Sequence, residues 1–240
     1  MPRFFVDEIK GNEIILTGEN ASHITKSLRM RPEEIITLSD ANGIDCEGKI
    51  TKISPDAVTV KILEARANTS EPSISVTLYQ ALPKMGKFET IVQKAVELGV
   101  TRIVPILTSR CVSRPDEKSM KKKLERYNKV ALEAAKQSGR GKIPVVEPLK
   151  TYEDVLKDFS KYDKTVLFYE EGGERLEKIV PQNSKSIAII IGSEGGFSKS
   201  EVDEAVLAGA AVGTLGPRIL RCETAPIAAL SILMYHTKNM

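Results

Sequence analysis

Apolar and polar residues alternate in short runs along the first part of the chain. Phe4–Val6, Glu13–Leu16, Glu34–Leu38, Ile44–Ile53 and Val58–Leu63 each read as a strand, since a two-residue period puts every second side chain on one face. Asn42-Gly43 falls between two of these runs. That pair tolerates the positive φ of a tight turn, so the runs flanking it are expected to form a hairpin. A short helix is expected over Ala21–Leu28. Several short strands separated by turn residues predict a β-barrel domain over residues 1–70. Ala65–Ser73 (ARANTSEPS) is polar and aperiodic and reads as a linker.

From Ile74 the pattern changes. Ile74–Ala81 alternates like a strand, and Arg102–Leu107, Thr165–Tyr169, Ile187–Ile191 and Val212–Leu215 are apolar runs of strand length. Between them lie helical patterns. Phe88, Ile91, Val92, Ala95 and Val96 share one face of a helix that Gly99 ends. Leu124, Tyr127, Ala131 and Ala134 form the apolar stripe of a second. Ser198 and Glu201 have capping-box spacing, which predicts a helix start there and a stop near Gly209. A last helix is expected from Pro226 to His236, with Pro near its first turn. Alternating strands and helices over residues 74–240 predict an α/β domain with a mainly parallel sheet.

Composition narrows the class. A hydrophobic share of 41% supports a core, and no apolar run is long enough to span a membrane. The start, MPRFFVDEIK, lacks the apolar stretch of a signal peptide, so the expected location is the cytoplasm. Cys46, Cys111 and Cys222 stand singly and only two histidines occur, so neither a disulfide framework nor a metal site is expected. Charge is more telling in its distribution than in its total of +3. Lys118 to Lys142 holds nine basic residues against Glu125 and Glu133, a local +7 that leaves −4 for the rest of the chain. Such a surface attracts polyanions, RNA among them, although a solvated helix face would look the same.

In open α/β sheets, ligands bind beyond the carboxyl ends of strands. Two loops qualify: Gly192-Ser193-Glu194-Gly195-Gly196-Phe197 after one apolar strand, and Gly216 to Thr224 after another. Neither the dinucleotide fingerprint nor the phosphate-binding P-loop motif is present, which argues against ordinary Rossmann enzymes and P-loop NTPases.

The stretches IIGSEGGFSKSE (190–201) and LGPRILRCETAPIAAL (215–230) resemble the two signatures of the RsmE family, which belongs to the knotted SPOUT methyltransferases. SHITKSLRM (22–30), KFETIVQKAVELGV (87–100) and ALEAAKQSGRGKIP (131–144) resemble further elements of that family in the same order. The resemblance implies a C-terminal SPOUT domain with a deep trefoil knot, an N-terminal PUA-like β-barrel, and a homodimer. It implies S-adenosyl-L-methionine bound near Phe168, Gly192, Gly196, Leu215, Gly216, Leu220 and Ala225. The implied reaction is methylation of N3 of a uridine in 16S rRNA, on free rRNA or the assembled 30S subunit.

Uracil N3 holds a proton that must leave, and charge then develops on O2 and O4. A carboxylate suits the first task, and an Arg, always charged and with a planar fork of donors, suits the second. Glu194 and Glu223 are the candidate carboxylates; Arg221 and Arg140 are the candidate cations. Each has a structural alternative: a loop hydrogen bond for Glu194, a helix-dipole charge for Glu223, a helix-end cation for Arg140. Cys222 is expected to pack, because N3 methylation needs no thiol adduct. RNA contacts are expected from Arg3, His23 and Arg29 and from Lys121, Lys122 and Arg140. Ser193 stands where the family usually has Pro, and Gly-Ser-Glu-Gly is similar to the ribose 2′-O-methylating SPOUT enzymes. Ribose methylation is therefore one alternative; a non-catalytic RNA-binding module, resting on the basic stretch alone, is another.

Overall fold

The computed structural model describes residues 1–84 and 86–240. The chain divides into two compact units, Met1–Glu71 with Ala135–Ile143, and Pro72–Ala134 with Pro144–Met240.

The first unit carries a five-stranded sheet: β1 (Arg3–Phe5), β2 (Glu13–Thr17), β3 (Ile35–Ser39), β4 (Ile44–Ile53) and β5 (Ala57–Ala67), in the order β1-β3-β4-β5-β2. β1 runs parallel to β3 and the other pairs are antiparallel. Its edges, β1 and β2, do not pair with each other, so the expected barrel takes the form of a half-barrel. Alternation sets the core here: Ile36 and Leu38, then Val58 and Val60, point inward onto Phe4, Leu16, Ile24 and Ile50. At the hairpin between β3 and β4, the Asp40 carboxylate accepts the N–H groups of Asn42 and Ile44 at 2.8 and 2.9 Å. β5 continues through Ala67, because Ala65 and Ala67 still pair with Cys46 and Ile44. The expected linker therefore begins three residues later than its polarity suggested. The expected helix near Ala21 starts earlier, as α1 (Gly18–Ser22), and passes into a π turn over His23–Ser27. The wider turn is visible in the bond from Leu28 N–H to the His23 carbonyl, 2.9 Å.

The second unit carries eight strands: β6 (Ser75–Ala81), β7 (Arg102–Leu107), β8 (Val145–Val146), β9 (Lys150–Thr151), β10 (Lys164–Phe168), β11 (Glu174–Arg175), β12 (Ser186–Ile191) and β13 (Ala211–Thr214). Their order is β11-β13-β10-β12-β6-β7-β8, with β9 also on β7, and every pair is parallel. This is the mainly parallel sheet that the alternation of strands and helices predicts. Its helices are α2 (Lys87–Glu97), α3 (Glu117–Ser138), α4 (Tyr152–Leu156), α5 (Leu176–Ile179), α6 (Lys199–Leu207) and α7 (Thr224–His236). Among the described residues, no helix is long and apolar enough to cross a membrane.

All five apolar positions expected for α2 are buried, and the Phe88 ring meets Tyr127 of α3 at 4.5 Å. α6 has the expected capping box: Ser198 Oγ accepts the Glu201 N–H, and the Glu201 carboxylate accepts the Ser198 N–H. The other Glu201 oxygen accepts the Ser109 N–H at 2.6 Å, so this local signal also pins a loop distant in sequence. β10 lies between β12 and β13, with Leu167 beside Ile190 and Phe168 beside Gly213. All three strands are parallel, so the chain segments that follow them leave from one edge of the sheet.

Candidate active site

At that edge lies a cavity of about 820 Å³. Its walls are residues 168–172, 191–197 and 214–222, with Ala225. A volume of this order suits a small-molecule ligand, since such sites run to roughly 300–1,000 Å³. All seven residues expected to hold a cofactor, Phe168, Gly192, Gly196, Leu215, Gly216, Leu220 and Ala225, line it.

The glycine loop after β12 is folded tightly. Gly196 N–H bonds back to the Ser193 carbonyl at 3.0 Å, and Gln80 of β6 donates to the Gly192 carbonyl at 3.2 Å. Gly196 has φ 63°, and a Cβ there would run into the Glu170 carboxylate. Glycine is favoured at this wall by the left-handed backbone; the Glu170 carboxylate is the movable tip of an exposed side chain and adds little. Ser193 is 7% exposed, and its hydroxyl has no hydrogen-bond partner among the described residues. A buried hydroxyl in a cavity wall without a partner is suited to a polar ligand.

The charged groups form one cluster. Lys87, the first residue of α2, places Nζ 3.0 Å from Glu194 and 3.1 Å from Glu223. Glu194 also accepts the Lys84 N–H at 3.2 Å, and Glu223 accepts the Cys222 thiol at 3.1 Å. Burial pushes the Glu194 carboxyl up, but hydrogen bonds from its own N–H, from Lys87 and from the Lys84 N–H outweigh it and hold the group below its ordinary value. Glu223 is held low first by the Cys222 thiol and then, against a burial penalty, by its own N–H and by Lys87. Both side chains are therefore ionised at neutral pH. Burial, joined by the hydrogen bond to Glu223 and the charge of Glu194, pushes the Cys222 thiol up to about 12, so it stays protonated as a donor. Glu223 occupies the N-cap of α7, yet its side chain makes no capping bond there. Arg221 is exposed at the cavity wall, and its guanidinium has no ion pair or hydrogen bond among the described residues.

Arg140 is not in this wall. It belongs to the first unit, is 3% exposed, and is held by the Glu71 carboxylate at 2.8 Å through both Nε and Nη2. A buried guanidinium so engaged is a structural tie, which corrects the expectation that it meets the reacting base. Arg3 is likewise committed, to Asp45 at 2.6 and 2.8 Å and to the Arg140 carbonyl at 3.2 Å, and is withdrawn from the RNA contacts. His23 is half-buried, edge-on to Phe4 at 5.9 Å. Arg29 is exposed with φ 52°, and Lys121 and Lys122 are exposed on α3. Sequence reasoning missed Lys87 and Glu170. Lys87 opens one of the recognised stretches, but no local pattern assigns it a partner more than a hundred residues away.

A family model described as an RNA methyltransferase domain matches residues 69–234, and one described as an RNA methyltransferase PUA domain matches residues 16–63. Ribosomal RNA small subunit methyltransferase E of Bacillus subtilis (strain 168) is 34% identical, with 99% of this chain and 98% of that one covered. The chain belongs to the RsmE family. The protein of the same name from Mesomycoplasma hyopneumoniae (strain 232) is 35% identical over 96% of this chain and 98% of that one. Among solved structures, a ribosomal RNA small subunit methyltransferase E from Neisseria gonorrhoeae, bound to S-adenosyl methionine, is 31% identical with a TM-score of 0.90, covering 98% of this chain and 97% of that one. The RsmE likeness therefore extends over both units.

Proposed function

We propose that this RsmE family member methylates N3 of a uridine in 16S rRNA with S-adenosylmethionine as its cofactor. The observation that carries the reading is the unpaired Arg221 guanidinium at the wall of a glycine-lined cavity whose lining also includes the ionised Glu194. The cavity fits the cofactor: the close backbone at Gly192 and Gly196 admits a ligand, and the partnerless Ser193 hydroxyl meets a polar one. Bound there, S-adenosylmethionine supplies an activated methyl group on a sulfonium. Phe168, Leu215, Leu220 and Ala225 hold its apolar parts, and the backbone of Gly192, Gly196 and Gly216 holds its polar ones. Arg221 reaches the uracil carbonyl oxygens and stabilises the charge that develops as N3 loses its proton. Glu194 or Glu223 receives that proton. Held low, either carboxylate is a weaker base than a free one, and the Arg221 charge offsets this by stabilising the anion that forms.

RNA is held by Arg29 and His23 of the first unit and by Lys121 and Lys122 of α3. A homodimer belongs to the same proposal. Ile219, on the cavity loop, is 84% exposed, and Tyr235 of α7 is 76% exposed, and both would be covered by a second copy. The deciding experiment supplies the protein and labelled cofactor to small subunits from a strain lacking the activity, followed by nucleoside mass spectrometry. 3-Methyluridine is expected. A methyl on the ribose, the outcome that Ser193 would favour, overturns the assignment.

A further inference from the structure

We infer that Lys87 is a positioning residue of this site, a single ammonium that bridges Glu194 of the loop after β12 to Glu223 at the head of α7. The inference rests on the proposal that methyl transfer takes place in this cavity. Lys87 is an odd choice for its local position. It is the first residue of α2, where the helix dipole disfavours a cation. Residues that break a local rule are commonly explained by what they meet in the folded chain. Here Lys87 meets Glu194 at 3.0 Å, Glu223 at 3.1 Å and the Cys222 thiol at 3.8 Å. Its ammonium has three donors, one for each.

The two bridged oxygens each lie about 3 Å from Nζ, so they are no more than about 6 Å apart. Carboxylates this close repel, and without a cation between them each raises the other's affinity for a proton. Lys87 thus adds to the bonds that favour the charged form of both groups, and it holds them at fixed places on two segments that meet only in the folded chain. The stem of Lys87 starts from a helix whose other face is anchored by Phe88, Ile91, Val92, Ala95 and Val96, so the ammonium is presented from a rigid base.

The test uses the full chain with Lys87→Met, Lys87→Gln and Lys87→Arg. Glutamate carboxyls are titrated by carbon NMR, with Glu194→Gln and Glu223→Gln for assignment, and kcat and KM are followed against pH. In Lys87→Met, one of the two carboxyls is expected to titrate about one pH unit or more higher. The acidic limb of the rate profile moves up with it, and kcat falls by roughly tenfold. Lys87→Arg returns both carboxyl titrations to the wild-type range. If Lys87→Met fails to fold, the titration is read in Lys87→Gln, which keeps a polar tip without the charge. Unmoved carboxyl titrations in the neutral variants overturn the inference. The titration needs no RNA, so a methyl found on ribose would sink the proposed reaction while leaving this result standing.

Discussion

Arg140 grips Glu71 through two nitrogens, Nε and Nη2, each 2.8 Å from a carboxylate oxygen. Glu71 also accepts the N–H groups of Gly141 and Lys142, at 2.9 and 3.2 Å. The pair therefore fastens the segment after α3 to the end of the first unit's main stretch. Removing one partner of a buried pair leaves the other uncompensated, so Arg140→Leu is expected to destabilise the protein by about 3 kcal/mol. Urea denaturation measures this, and a loss within error of zero would show the pair to be dispensable. The pH dependence follows from Glu71. Burial raises its carboxyl, but the guanidinium and the two N–H groups outweigh burial and hold it low. A depressed folded-state value means the contribution is complete above the unfolded carboxyl range, about pH 4, and disappears as pH falls through the folded value. Acid should therefore weaken the wild type more than Arg140→Leu.

Arg221→Ala is expected to fold as the wild type does, because no described residue depends on its guanidinium. Losing a preorganised charge at a developing anion costs on the order of 10²-fold in kcat. Single-turnover methyl transfer is the measurement, and near-normal turnover would remove Arg221 from the mechanism.

Gly196→Ala should lower stability by about 1–2 kcal/mol, since φ 63° is strained for an alanine whether or not a ligand is bound. Adding Glu170→Ala should not restore it, because the Glu170 carboxylate is the movable end of an exposed side chain. Thermal unfolding reads both variants, and an unchanged midpoint in Gly196→Ala would mean that the left-handed turn is not needed.

Lys121→Ala with Lys122→Ala should weaken RNA binding about equally across sequences. It should also flatten the plot of log affinity against log salt by about one for each phosphate that is no longer neutralised. Filter binding over a salt series shows this. A slope equal to that of the wild type would place the RNA elsewhere than on α3.

Much of the fold was legible because its signals are local. The apolar run of β12, the stripe of α2 and the Ser198–Glu201 box each follow from the geometry of a single element. The short elements were not. β8, β9 and β11 have two residues each, too few to carry a period, and they exist because a neighbouring strand offers them a ladder. The π turn at His23 was also invisible, since its sequence suits an α-helix equally well.

The longer strands and helices, the two glycine loops and the residues that line the cavity were legible in the sequence alone, through periodicity and a recognisable succession of motifs. Which charges meet was decided only by the tertiary structure. Arg140 became a strut when Glu71, 69 residues away, came within reach of its guanidinium. Lys87 joined Glu194 and Glu223 when the sheet brought separate turns to one edge. An ion pair depends on distance in space, and spacing along a chain specifies that distance only within a single helix, strand or turn.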